Sequence, residues 1–586
     1  MKIVKWIPLF WSLLIYGQED SIFQIDGEIE IDSMWYINSQ NNFSFNDDVI
    51  LLGYENIETS IMGNFGSVLI PFWWKSENTI EQKIGDRILR TNTNYSEYAE
   101  VYKENFPHTK IIYSPTYSDN SHGQRLNFSH KKRYRYGSFL LDYDRLVSEG
   151  FLAHENKKQT LFNLHGNYSH PKQPYESQWR INTFKQESEW NGGVSNENLF
   201  FSGSQSNWEV IPVHWLNLET SIKHKGFDWK HTYSFSKESK IEYEINMSQD
   251  SMFYNGLEDD TLFYPIRLDS TSSFNRSFTN MTHTLKWSQQ LNEDKHAIIG
   301  VKNQNFKQNK EGLNRWSLFT SIHSNSLNSR IHLSFGKDEF LANSFKANYS
   351  QQINFIGLKN HFKIAYEKTI PNWHQLIHSM TWNLNAPSTY TQEIINPSID
   401  QYIEWDLELS KNISIHNSYH NIEAYAYFNE QAQSVNSDEI IKIFQNRLKY
   451  HFRTKNWHWR GDTGYQNSSS NKIPLAKLMF NQRLYWQNKI FKDATETQIG
   501  VNVSYRSRHP GMTYSPILGD FYINPRNETN ASIKCDVFAN FQIQTLKIYA
   551  AFEHLNSFWQ GEQYNLKPYP IAKPIFRLSL IWNFYD

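Results

Sequence analysis

The chain has a single cysteine, Cys535, in 586 residues. That excludes a disulfide framework and any cysteine-built metal site. It has no basic excess: 58 Lys and Arg against 60 Asp and Glu give a formal net charge of -2. A nucleic-acid partner is therefore not indicated. After the first residues, no apolar run approaches the ~20 residues that a membrane helix needs. The longest, VLIPFWW at 68–74, is short and interrupted by Pro71. Catalytic signatures are missing as well: there is no HExxH, GxSxG, Walker loop or GxGxxG. GNFGS at 63–67 reads as a turn, and the 22 histidines are scattered. No catalytic residue, cofactor site or metal site is assigned.

Aromatic residues, by contrast, are abundant at 16%, with 20 Trp, 34 Tyr and 39 Phe. They suit strands, membrane interfaces or sugar-binding surfaces. The start, MKIVKWIPLFWSLLIYGQED, has Lys2 and Lys5, then an apolar core from Ile7 to Tyr16, then small Gly17 before a polar run. This order predicts a secretory signal peptide over residues 1–18. Residues 19–105 are rich in Asp and Glu and alternate weakly. They are expected to be a periplasmic or lumen-inserted lead-in.

From 106 to the end the pattern is different. The last residues, FRLSLIWNFYD, place Phe576, Leu578, Leu580, Trp582 and Phe584 on one face of a strand, with Arg577, Ser579 and Asn583 on the other. ASIKCDVFANFQI (531–543), LKIYAAFE (546–553), TQIGVNVSYR (497–506) and WHWRGDTGY (457–465) repeat the same dyad. Connections alternate between short ones near 411–412, 454–456, 488–493 and 544–545 and long ones near 369–399, 429–439, 507–529 and 555–573. One apolar and one polar face on every strand, with short turns alternating with long loops, is the signature of a transmembrane β-barrel. An open sheet cannot span lipid, because its edge groups would go unpaired. The expectation is an all-β antiparallel transmembrane barrel over 106–586 with about 22 strands, in a range of 16–24. Its short turns would be periplasmic and its long loops extracellular. Ten residues at about 3.3 Å each, tilted about 40°, rise roughly 25 Å, the height of a lipid-facing band.

The charged face favours the barrel over a soluble β-sandwich, since buried Lys and Arg are costly but a water-filled lumen accepts them. After residue 440 the expected lumen-lining charges are Arg447, Lys449, Arg453, Arg460, Lys477, Arg483, Arg506, Lys534, Lys547 and Arg577, against Asp462, Asp536 and Glu553. This stripe points to an anion-leaning wall. Asp536 and Glu553 are expected to pair with Lys534 and Lys547 across strands. The greasy row Phe576, Leu578, Leu580, Trp582 and Phe584 is the candidate signal to the barrel-assembly machinery.

Several stretches resemble a family of outer-membrane barrels, the putative porins of Bacteroidetes. MGNFGSVLIPF (62–72) is similar to that family's Gly-Asn-Leu-Gly-Ser segment. ENFPHTKIIYSPTYSDNSHGQRLNFSH (104–130), LDYDRLVSEGFLAHENKK (141–158) and NYSHPKQPYESQWRINTFKQESEWNGGV (167–194) follow in family order, and FRLSLIWNFYD resembles its ending. Trp190, Val194 and Leu578 depart from the pattern. The resemblance implies a non-enzymatic barrel in the outer membrane that passes small polar solutes by diffusion. Its partners would be outer-membrane lipid, the assembly machinery and the solutes. Alternative readings are a plugged barrel serving secretion or surface assembly, an outer-membrane lipid hydrolase, and a soluble sugar-binding protein.

Overall fold

The computed structural model describes residues 57–75 and 108–585, apart from 119–120, 204–206, 257–272, 309–310, 339–342, 356–357, 370–394, 493 and 517. The expected signal peptide, 1–18, lies outside the described residues. So does most of the lead-in.

Strands of alternating polarity have one way to satisfy every edge, which is to close on themselves. Here 22 strands do so, each antiparallel to its neighbours. They are β1 (His108–Ser118), β2 (Ser121–Tyr134), β3 (Gly137–Ser148), β4 (Lys157–Ser169), β5 (Tyr175–Trp190), β6 (Leu218–Ser234), β7 (Ser239–Asn255), β8 (Ser273–Gln290), β9 (Lys295–Gln308), β10 (Glu311–Ser324) and β11 (Ser329–Asp338). The second half comprises β12 (Asn343–Phe355), β13 (Leu358–Thr369), β14 (Ser398–Ser410), β15 (Ile413–Glu423), β16 (Ile441–Thr454), β17 (Trp457–Ser468), β18 (Leu478–Ile490), β19 (Thr495–Arg506), β20 (Ser532–Ile543), β21 (Leu546–Glu553) and β22 (Ile575–Tyr585). The seam is a ladder between β1 and β22, with Tyr113 opposite Leu580 and Tyr117 opposite Phe576.

The two rims differ. Every connection from an even to an odd strand, such as 411–412, 491–494 and 544–545, has two to five residues. The other rim carries the long ones, including 191–217, 424–440, 507–531 and 554–574. Both ends of the barrel chain, His108 and Tyr585, lie on the rim of short turns, where they pair.

The period of two sorts the faces. Outward rows are apolar and exposed: Ile331, Leu333 and Phe335 on β11, Trp457, Trp459 and Tyr465 on β17, Trp582 and Phe584 on β22. Inward rows are polar and largely buried, such as Gln445, Arg447 and His451 on β16. Strands β5 to β8 run to 16, 17, 17 and 18 residues. Toward the long-loop rim their outward rows turn from Ile181 to Lys185 and from Phe227 to Lys223. These strands therefore extend beyond the apolar band.

Candidate functional site: the lumen and the segment inside it

Residues 57–75 lie inside the cylinder. Their core is a hairpin, Thr59–Ile61 against Leu69–Pro71, with Ser60 opposite Ile70. The reversal at 62–68 needs left-handed backbone at Gly63 (φ 66°) and Gly66 (φ 77°), which glycine adopts freely. Met62 N–H donates to Val68 O at 2.9 Å and closes the turn. The GNFGS motif is thus a turn, and one that the wall grips. Asn64, fully buried, donates from Nδ2 to Ser148 O at 3.2 Å and Glu155 O at 2.8 Å.

The hairpin spends its ladder bonds on itself, so the wall holds its outer backbone through amide side chains. Gln159 Nε2 on β4 donates to Gly66 O at 2.6 Å. Gln445 Nε2 on β16 donates to Trp74 O at 3.0 Å, and Gln466 Oε1 on β17 accepts from Trp74 N–H at 3.2 Å. Gln466 Nε2 donates to Phe72 O. Asn565 Nδ2 in the connection 554–574 donates to Ile61 O at 2.9 Å. Charge adds to this: Arg447 Nη1 donates to Glu58 Oε1 at 2.6 Å, while Nε and Nη2 reach the two oxygens of Asp462 at 2.9 and 2.8 Å.

Apolar packing fills the rest. Val68, Ile70 and Phe72 have no exposed surface. They join one cluster with Leu161, Phe184, Ile222, Tyr254, Phe278 and Phe306 from the wall of β4 to β9, and Met479 from β18. Three small hairpins of the long connections fold inward onto it: Ala426–Phe428 with Ser434–Asn436, Met512–Ser515 with Asp520–Ile523, and Tyr564–Leu566 with Tyr569–Pro570. Phe428, Tyr514, Leu518, Tyr522, Leu566 and Tyr569 are their buried contributions. Arg506 of β19 lies 3.4 Å over the Phe72 ring, and His509 meets that ring edge-on at 5.2 Å. Burial next to Arg506 lowers the His509 pKa to about 4, so it is neutral at pH 7. Glu155, in the connection 149–156, is pushed up by burial, although Phe151 and Leu152 N–H groups both donate to it.

The residues expected to line the lumen divide into two groups. Arg447, Arg506, Lys534 and Arg577 touch the inserted segment. Lys534 Nζ is 3.4 Å from Ser60 Oγ. Arg577 sits 4.6 Å over the Phe65 ring and grips Glu553 at 2.7 and 3.1 Å. Lys449, Arg453, Arg460, Arg483 and Lys547 stand on the inward rows of β16, β17, β18 and β21, with Arg483 5.6 Å from the Phe538 ring. Lys477 is not on a strand: β18 begins at Leu478, and Lys477 is an exposed residue of the connection 469–477. The expected pairing of Asp536 and Glu553 with lysines also differs. Glu553 takes Arg577, while Asp536 accepts from Asn502 Nδ2 at 3.2 Å and His554 N–H at 2.8 Å. The row Phe576, Leu578, Leu580, Trp582 and Phe584 faces outward on β22, the seam strand.

Sequence reasoning did not single out the gripping glutamines Gln159, Gln445 and Gln466. On an inward row, an amide looks like solvated wall until its partner is known. It also stopped at residue 440, before the carboxylates of the other strands. Asp144 pairs with Arg125, Asp228 with Arg180, Glu242 with Lys230 and Lys240, and Glu367 with Lys346. Asp406 lies between His361 and His416. Among the described residues, no group of His, Cys, Asp and Glu could hold a metal ion.

The family described as Putative porin matches residues 38–586, nearly the whole chain and the insert with it. The chain belongs to this family. A porin-family chain closed into 22 strands fits the outer membrane. Among solved structures, this porin-family barrel is similar to a mutant of the ferric enterobactin receptor PfeA from Pseudomonas aeruginosa. The TM-score is 0.60 at 11% identity, covering 82% of this chain and 81% of that one. It is likewise similar to the FrpB iron transporter from Neisseria meningitidis, F3-3 variant (TM-score 0.59, 9% identity, 82% of each chain). A third is the siderophore receptor PirA from Acinetobacter baumannii (0.58, 9%, 82% and 81%). At such identities the likeness is one of fold. No curated protein matches the chain.

Proposed function

We propose that this barrel passes small polar solutes across the outer membrane by a restricted path, with the inserted segment and the inturned loops setting its width. The observation that carries the reading is the apolar core built by Val68, Ile70 and Phe72 with the loop hairpins inside the long-loop rim. A bare lumen of this strand number would be wider than that of general porins, and barrels of this size are commonly plugged. The described core reaches the wall along β4–β9 and at β18. Residues 57–75 are bonded to β3, β16, β17 and β20 as well.

On this reading the working parts are wall, insert and loops, and the protein is not an enzyme. The short turns face the periplasm, the long loops face outward, and residues 1–18 direct export. The cations of β16 to β22 lean the path toward anions. Solved barrels of the same fold, among them a ferric enterobactin receptor, a siderophore receptor and an iron transporter, support transport as the general role.

Single-channel recording tests this. The full chain is expected to conduct far less than a variant lacking residues 57–74, provided both keep the gel mobility shift of a folded barrel on omitting boiling. Equal conductance would sink the reading.

A further inference from the structure

The outward rows of β3–β6 change character in a fixed order on the way to the rim of long loops. First come large apolar residues: Tyr143 on β3, Phe162 on β4, Ile181 on β5 and Phe227 on β6. Two or four residues further out on the same rows stand Arg145, Lys158, Lys185, Lys225 and Lys223, all of them exposed. The ladders gather these cations. Arg145 is opposite Thr160, Thr160 is opposite Lys185, and Lys185 is directly opposite Lys223. Among the described residues of these basic rows, Glu187 is the one carboxylate. It lies opposite Lys158 and bonds Lys185 at 2.5 Å. One step further out, Glu189 stands opposite Glu219, so the positive layer ends there.

Like charges directly opposite one another destabilise a sheet unless something neutralises them. The level of the patch says what does so. At about 3.3 Å per residue and a tilt of about 40°, two and four residues rise roughly 5 and 10 Å. A bilayer has about 30 Å of hydrocarbon in about 40–45 Å overall, which leaves roughly 5–8 Å of headgroups on each side. Lysine stems bend along the wall and carry their ammonium groups to that layer. Apolar, basic and then acidic rows thus match tails, phosphates and water in order. A soluble acidic partner would gain nothing from the apolar rows beneath.

We infer that this patch binds the phosphorylated headgroup of an anionic lipid, whose acyl chains lie along Ile181, Phe227 and Trp229. Opposed positions on neighbouring strands are ~5 Å apart at Cβ, so Lys185 and Lys223 share one phosphate. Lys225, and Arg145 two strands away, favour a headgroup that carries a second. The inference needs the outward rows to face lipid and does not depend on what crosses the lumen.

Cardiolipin, a lipid with two phosphates, is the probe. The full chain, folded in zwitterionic detergent, is offered cardiolipin, and the lipid that stays bound is counted by native mass spectrometry. Cardiolipin should be retained saturably and phosphatidylcholine should not. Each cation beside an anionic headgroup is worth about five-fold in binding. The triple variant Lys185→Gln/Lys223→Gln/Lys225→Gln should therefore weaken retention at least about ten-fold. Lys442→Gln, which removes an exposed outward cation two residues beyond Phe444 on β16, should leave it unchanged. The unboiled gel shift shows which variants fold. If the triple variant does not, Arg145→Gln/Lys225→Gln carries the test, with a loss of about five-fold or more. Unchanged retention in the folded variants, or none by the unaltered chain, overturns the proposal. Displacement of cardiolipin by inorganic phosphate overturns it in favour of a free anion. Retention of soluble polyglutamate in place of cardiolipin overturns it in favour of an acidic macromolecule.

Discussion

Phe72→Ala is the sharpest test of whether the inserted segment sets the width of the path. The ring has no exposed surface, lies 3.4 Å beneath the Arg506 guanidinium and meets His509 edge-on. Truncating a buried Phe costs about 3–5 kcal/mol in lost transfer energy and cavity. Losing a desolvated cation–π contact adds about 1–2 kcal/mol. The 22-strand ladder does not depend on Phe72, so the cost falls on docking of the insert and not on the wall. Some of it is recovered as neighbours relax. A net loss of about 4 kcal/mol would shift the ratio of docked to undocked insert about a thousand-fold. Hydrogen exchange of residues 57–74 reads this directly. Their amides should exchange on the order of a thousand times faster, while β16 and β17 keep wild-type protection. Channel recordings should show openings several-fold larger or more frequent. Wild-type protection of 57–74 in Phe72→Ala would refute the packing argument. Faster exchange with unchanged conductance would refute the link between insert and path.

Gly464→Leu attacks the same contact from the wall. A Cβ there would sit 2.5 Å from the Trp73 ring and 2.8 Å from Ile57. The overpacking is expected to cost about 1–3 kcal/mol and to raise exchange in 57–74 with the barrel intact. Acid should loosen the loop hairpins through His509. Its folded pKa, about 4, is below the usual 6.5, so only the undocked or unfolded form takes up a proton as pH falls. Stability is complete above about pH 6.5 and declines by about 3 kcal/mol down to pH 4. Exchange at 512–523 measured at pH 7.5 and 5 should show the loss, and His509→Leu should flatten the dependence. Trp582→Ala/Phe584→Ala removes the outward aromatics of the seam strand. The fraction of chain running as the folded, unboiled species should fall after assembly in vivo, and an unchanged fraction would dismiss their role as an assembly signal.

The wall was legible in the sequence because a strand's period is two and each inward row could be read off by counting. The turn at 411–412, the closing strand and the strand number emerged that way. Lys477 illustrates the limit. The alternation continues through it into β18, but the ladder begins one residue later, and strand ends are set by partners on other strands. The insert was harder to read for a different reason. Its hairpin strands have three residues each, too few to show a period, and its anchors come from glutamines hundreds of positions away. The charge balance of the lumen was also nonlocal. The carboxylates that pair on β3, β6, β7 and β13 lie outside the stretch whose strands were delimited with ease.

The self-paired hairpin has a mechanical consequence. Among the described residues, no rung of the cylinder's ladder runs into it. The described contacts between it and the wall are side-chain grips and greasy packing, which can let go one by one while the hoop of strands keeps its own ladder. It is mounted like a cartridge in a sleeve. The barrel chain starts and stops at the rim of short turns, so a pull from that side would draw on a fitting made to release before its housing gives.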